Sequence, residues 1–165
     1  MATYYDSITD QQAELIQNSP MFFVASVPAD LSGGPNDEGA VNLSPKGGNP
    51  LLILDSNRVA YLDFAGSGNE TARHANTEGP ITIMVCSFSD EAAIIRLYGH
   101  ASVHDIDDHE FSEQLQESFE DDIALPARQV VDIRVDRTVT SCGYGVPVMN
   151  YVSERSTAYR GRKYK

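Results

Sequence analysis

A glycine-rich loop followed by a cation is the feature of this sequence best suited to holding a ligand. The run Gly66-Ser67-Gly68 comes directly after the strand-like segment Tyr61 to Phe64, and Thr71 and Arg73 follow within a short predicted helix. Backbone N–H groups at a helix start, hydroxyls and a guanidinium are donors that bind phosphate, and glycine lets the backbone approach a ligand closely. The segment therefore predicts an anion site. A plain strand-to-helix turn with Ser67 or Asn69 as N-cap is the structural alternative.

A second candidate group surrounds Lys46. The only cations before residue 96 are Lys46, Arg58 and Arg73, so a small anionic ligand would have few partners in this part of the chain. Asn42 and Ser44 precede Lys46 at alternate positions of a predicted strand, which places both side chains on one face. They would line a polar site together, whereas a single lysine is more often solvated.

A third candidate is Gly143-Tyr144-Gly145, which follows a predicted strand. An aromatic residue between two glycines suits a loop folded over a flat ligand. A tight turn leaving the strand explains the same pattern equally well.

Other chemistries find less support. Thr71 stands where a dinucleotide-binding fingerprint needs a third Gly or Ala, and the sequence has no Gly-x-Ser-x-Gly elbow for an acyl-transfer nucleophile. His100 and His104 share a strand face near Asp105 and His109, but without a fixed ligand spacing they only weakly indicate a metal. Cys86 lies among apolar residues and is expected to be a core thiol.

Composition and charge narrow the class of protein. The 165 residues fit one domain. The 24 acidic against 12 basic residues give a net charge of -12, which disfavours binding to nucleic acid and anionic membranes. No apolar run approaches the roughly 20 residues of a membrane span, and the N-terminus does not resemble a secretory signal. Two cysteines form no disulfide framework. We therefore expect a cytoplasmic domain over residues 1–152 and a flexible basic tail over 153–165.

Hydrophobic periodicity predicts a mainly β fold. A capping box at Thr9 and Gln12 should start a short helix through Ile16 or Gln17. Apolar residues recur at every fourth position from Phe111 to Ile123, which indicates an amphipathic helix whose opposite face is acidic. Between and after these helices, six or seven strands are joined mostly by short turns, which implies antiparallel pairing and closure into a small α+β barrel with helices outside. The predicted strands are Met21–Val27, Ala40–Ser44, Leu51–Leu54, Arg58–Asp63, Ile81–Phe88, Ile94–Val103 and Gln129–Val139, with a loop over Pro45–Pro50.

Together these segments resemble the pyridoxamine 5′-phosphate oxidase-like family of FMN-binding split barrels. The resemblance runs from about Met21 to Val152, and its C-terminal part matches one branch distinct from the true oxidases. It rests on MFFVASVP, VNLSPKG, YLDFAGSGNETARHA with ITIMVCSF, IIRLYGHASV and SCGYGVPVMNYVSER.

The resemblance implies a six-stranded antiparallel split barrel, a homodimer, and FMN held at the subunit interface. It further implies an oxidoreductase acting on a small molecule, with flavin chemistry that needs no catalytic dyad. The implied cofactor-binding residues are Asn42, Leu43, Ser44, Lys46, Tyr61, Leu62, Asp63, Ser67, Gly68, Asn69, Thr71, Arg73 and Tyr144.

The departures from the family pattern concern the substrate. VNLSPK lacks the arginine of the flavin strand of true oxidases, and GSGNETAR has one arginine and an acidic Glu70. The C-terminal substrate elements of true oxidases are also missing, which argues against pyridoxamine phosphate as substrate. Coenzyme F420 or haem remain alternative ligands, and a non-catalytic module for storage, sensing or regulation remains the alternative function.

Overall fold

A computed structural model describes residues 1–31, 40–48, 50–64, 68–108, 110, 113 and 127–154 of the chain. Within them, eight strands form one antiparallel sheet, and two α-helices and a single 3-10 turn accompany it. The elements are β1 (Thr3–Tyr5), α1 (Asp10–Asn18), β2 (Met21–Ser26), β3 (Asn42–Gly47), β4 (Leu52–Asp55), β5 (Arg58–Phe64), α2 (Glu70–Ala75), β6 (Pro80–Cys86), β7 (Ile94–His104), the 3-10 turn (Ile106–Asp108) and β8 (Ala127–Ser141).

The strands follow the order β3-β2-β6-β7-β8-β5-β4, and β1 pairs with β8. Every pair of neighbours is antiparallel. The 15-residue β8 is the longest strand and pairs with β7, β5 and β1. This pattern confirms the antiparallel, mainly β fold and leaves no parallel pairing for a dinucleotide-binding crossover within the described strands.

The sheet curls until β3 faces β5. Four strands separate them in the sheet order, yet Nζ of Lys46 on β3 lies 2.8 Å from Oδ1 of Asp63 on β5. The rings of Phe22 on β2 and Tyr61 on β5 also meet edge to face, with 5.3 Å between centroids. Side chains therefore bridge β3 and β5, although the two strands are not paired by backbone hydrogen bonds. We call the space between β3 and β5 the split, as expected of a split barrel.

The core fills the inside of the curl. Alternation puts Val24, Ile83, Leu97, Val59 and Ile133 inside, where each has no exposed surface. Helix α1 begins with the predicted capping box: the Thr9 hydroxyl accepts from the Gln12 backbone, and the Gln12 side chain accepts from the Thr9 backbone. No helix in the described residues is long and apolar enough to cross a membrane.

The predicted bounds of β3 were wrong, and one strand was missed. The predicted strand Ala40–Ser44 begins at Asn42 and continues to Gly47, so Pro45 and Lys46 belong to β3 and not to a loop. Proline is tolerated there because β3 is an edge strand of the described sheet, where a missing N–H costs no ladder hydrogen bond. The short strand β1 was not predicted, since its polar sequence has no apolar alternation. The predicted helix over Phe111 to Ile123 and residues 155–165 of the basic tail lie outside the described residues, except for Glu113.

Candidate functional site

Strand β3 presents three polar side chains to the split. Asn42, Ser44 and Lys46 alternate with residues that face outward, and they share one face as the spacing of Asn42 and Ser44 predicted. Leu43 lies on the opposite face and is 66% exposed. Continuation of β3 through Pro45 is what brings Lys46 onto the same face, because a loop would have left its direction open.

Lys46 reaches across the split to strand β5. Its ammonium group pairs with Asp63 and lies 5.5 Å from the centroid of the Tyr61 ring. Asp63 is only 8% exposed, and Nε2 of Gln129 donates to its second oxygen at 2.9 Å. The same amide also donates to Oδ1 of Asn69 at 2.7 Å. The carboxylate is therefore held in place from β8 as well as from β3.

A buried hydrogen-bonded network supports Asn42. Its side-chain amide donates to the hydroxyls of Thr71 at 3.1 Å and Ser26 at 3.3 Å, with Ser44 at 3.5 Å. The Ser26 hydroxyl in turn lies 2.9 Å from Nδ1 of His74, and both side chains are buried. Burial lowers the pKa of His74, so its imidazole is neutral at pH 7. Strands β2 and β3 and helix α2 thus fix the orientation of Asn42 together.

Helix α2 has only six residues and follows Gly68 and Asn69. Asn69 occupies the N-cap position but makes no capping hydrogen bond with its side chain. Thr71 and His74 point inward, while Arg73 pairs with Glu70 at 3.1 Å. The sequence thus correctly predicted the strand β5 and the short helix α2, while Gly66 of the predicted loop lies outside the described residues. Ser67 lies outside the described residues.

Tyr61 and Leu62 are both buried side chains of β5. Tyr61 faces the barrel interior with no exposed surface, and its hydroxyl has no hydrogen bond within the described residues. Burial raises its pKa well above the usual range, so the phenol stays protonated. Leu62 packs in a second apolar cluster with Ala60 and Val130.

Several candidates lie apart from this group. Tyr144 is 88% exposed, in the segment after β8. Arg58 is bound by Asp132 and Glu110, whose hydrogen bonds raise its pKa above the usual range. His100 pairs with Asp136 and His104 with Ser102. No group of three metal-ligating side chains converges within the part of the chain that the structure describes.

Sequence reasoning missed Ser26, His74 and Gln129. Ser26 ends an apolar run and His74 lies in a short helix, so neither pattern marks a binding group. Gln129 opens a strand that reads as core. Their roles depend on contacts between strands distant in sequence.

Comparison with known proteins assigns the chain to a family. A family model described as pyridoxamine 5′-phosphate oxidase matches residues 8–142. The pyridoxamine 5′-phosphate oxidase family protein ustO of Aspergillus flavus is 31% identical over 159 residues. The match covers 95% of this chain and 61% of that protein, so the chain spans about three fifths of the length of this curated relative.

Solved structures show the same fold at low sequence identity. HupZ of Group A Streptococcus has a TM-score of 0.58 and 21% identity, covering 79% of this chain and 91% of that chain. An FMN-binding protein from Syntrophomonas wolfei has a TM-score of 0.54 and 12% identity, covering 79% of this chain and 88% of that chain. The fold, the matched residues and the identity with ustO agree, and the chain belongs to the pyridoxamine 5′-phosphate oxidase family.

Proposed function

We propose that this chain binds FMN at the split between β3 and β5 and acts as an oxidoreductase on a small molecule. One observation carries the proposal: Asn42, Ser44 and Lys46 on β3 converge with groups of β5 and α2, in a member of this family. The FMN-binding protein of the same fold supports a flavin as the ligand.

The residues at the split fit the chemical groups of FMN. The hydroxyls of Ser44 and Thr71 and the amide of Asn42 can exchange hydrogen bonds with ribityl hydroxyls or with the polar edge of the ring. Lys46 and Arg73 are the cations that a phosphate needs. FMN, when bound, would supply hydride or electron transfer through its isoalloxazine ring.

The task of the protein is then to bind, orient and shield the ligand. Tyr61 and His74 are both buried and both neutral at pH 7. Neither is placed to exchange protons with solvent, so we assign them to packing and to the positioning of Asn42. Proton exchange with substrate is left to solvent or to the substrate itself.

A second copy of the chain completes the proposed site. Large apolar side chains remain exposed directly before β3, on the outer face of β3 and on the segment after β8, and no described part of this chain covers them. A homodimer would bury them and would bring Tyr144 toward the partner's ligand. These residues are Val41, Leu43, Tyr144, Val148, Met149, Tyr151 and Val152.

A non-catalytic binding module is the second candidate function. It is favoured by one feature of the sequence, namely that the C-terminal substrate elements of true oxidases are missing. Such a module would hold flavin or haem for storage, sensing or regulation without turnover.

Stopped-flow mixing separates the two candidates. Protein loaded with FMN is mixed anaerobically with NADH or NADPH, and the flavin absorbance is followed before and after oxygen is admitted. We expect bleaching faster than for free FMN, followed by recovery. Bleaching no faster than for free FMN with either donor would support the binding module. Saturable binding of F420 or haem, without binding of FMN, would change the assigned cofactor to that ligand.

A further inference from the structure

Both cations proposed to bind the phosphate already have a carboxylate partner within the same chain. Lys46 pairs with Asp63 at 2.8 Å, and Arg73 pairs with Glu70 at 3.1 Å. A phosphate that approaches either cation therefore meets a negative charge beside the positive one.

The Lys46–Asp63 pair is the stronger of the two obstacles. The Asp63 side chain is 10% exposed and the Lys46 side chain 23%, so water screens this pair less than a surface pair. Gln129 holds the other oxygen of Asp63, so the carboxylate stays beside the split even if the lysine moves. A phosphate bonded to Nζ would lie within a few ångströms of a fixed like charge, whether it displaced Asp63 or shared the ammonium with it.

We propose that Asp63 determines specificity by acting as a built-in competitor for the phosphate of the ligand. This inference rests on the proposed function, since it concerns the same flavin site. Asp63 lowers the affinity for a phosphorylated ligand more than the affinity for its unphosphorylated counterpart. The lowered affinity would let the site release and rebind its ligand, so that the ligand is not held permanently.

The inference predicts opposite effects on stability and affinity. Asp63→Asn keeps the shape of the side chain and an oxygen that can accept from Gln129, but it removes the charge. The free protein should become less stable, because the ion pair across the split is lost. FMN should bind more tightly. A purely structural role for Asp63 predicts that stability and affinity fall together.

The test compares FMN with riboflavin, which differ by the phosphate. Each is titrated by fluorescence into wild-type protein, Asp63→Asn and the matched control Asp136→Asn, whose exposed carboxylate on β8 pairs with His100 and Arg134. We expect Asp63→Asn to bind FMN about fivefold tighter or more, a typical coupling between sites. Its affinity for riboflavin should change much less than its affinity for FMN, and both affinities of the control should stay at the wild-type values.

The outcomes distinguish this inference from the proposed function. If wild-type protein binds FMN and Asp63→Asn binds it equally or more weakly, the competitor role is wrong and the flavin site stands. If neither binds FMN or riboflavin, the proposed function fails and the inference fails with it. Should Asp63→Asn not fold, Glu70→Gln removes the more exposed carboxylate beside Arg73, and tighter FMN binding is expected there too.

Discussion

The orientation of Asn42 depends on a buried histidine that does not contact Asn42 directly. His74 contacts the Ser26 hydroxyl, and that hydroxyl accepts a hydrogen bond from Asn42. Residues placed this way fix a binding group without touching what it binds. Ser26 and His74 are therefore as much part of the site as Asn42 itself.

The burial of His74 makes stability depend on pH. Its pKa in the folded protein lies below the usual value of 6.5, chiefly because burial disfavours the charged form. A hydrogen bond with Ser26 opposes this shift in the pKa, Arg73 adds to it and Glu70 opposes it. Below about pH 6.5 the unfolded chain gains a proton at this residue more readily than the folded protein does. The free energy of unfolding should therefore fall as the pH drops below 6.5.

Urea unfolding at several pH values between 7.5 and 5 checks this prediction, with His74→Gln as the comparison. In the variant, the free energy of unfolding should fall less steeply with decreasing pH than in the wild-type protein. An unchanged slope in the variant would show that other groups carry the pH dependence.

Helix α1 is attached to the sheet through one polar side chain. Gln12 is buried, and its amide nitrogen donates to the Thr140 hydroxyl at 2.9 Å, while its oxygen accepts from the Thr138 hydroxyl at 3.0 Å. Gln12→Ala removes both bonds together with the capping-box bond from the Thr9 backbone, and it leaves two hydroxyls of β8 without this partner. We expect the free energy of unfolding to fall by about 2 to 3 kcal/mol.

Chemical denaturation measures this loss, and the exposed Gln17→Ala on the same helix is the control. The control should change stability by less than about 0.5 kcal/mol. Equal effects of the two variants would contradict the role given to Gln12.

Local patterns in the sequence predicted most elements. The elements that were missed or misplaced depend on contacts between strands that are distant in sequence. Thr9 and Gln12 lie three residues apart, so their capping box could be read directly from the sequence. The alternation of Val131, Ile133 and Val135 likewise marked β8. Pro45 was misread as the end of a strand, because a single sequence does not show that β3 lies at an edge.

The site was predicted in part for the same reason. The shared face of Asn42 and Ser44 follows from a period of two, which is a local property. Lys46 meets Asp63 because the sheet curls, although four strands lie between their strands in the sheet order. No local pattern in the sequence predicts that contact. Arg58 resembled the other cations in the sequence, and only the structure shows that it pairs with Asp132 and Glu110, away from Lys46 and Asp63.

At the scale of the whole molecule, the exposed apolar residues predict association. Met149→Asp combined with Val152→Asp places two charges in the proposed interface. Wild-type protein should elute as a dimer in size-exclusion chromatography with light scattering, and the double variant as a monomer with weaker FMN binding.

Leu31→Asp, at an exposed apolar residue outside these segments, is the control and should remain a dimer. A wild-type protein that is monomeric at every concentration tested would contradict the dimeric site.

The most direct test of the flavin site is a fluorescence titration of purified protein with FMN. Wild-type protein, Lys46→Gln and Arg134→Gln are compared, since Arg134 is an exposed cation on β8 and its variant removes the same charge. We expect saturable quenching by wild-type protein and the Arg134 variant. Affinity should be about tenfold or more lower for Lys46→Gln, because a charge-assisted hydrogen bond to the phosphate is lost. No saturation with wild-type protein, or equal affinity in all three proteins, would contradict a flavin site at the split.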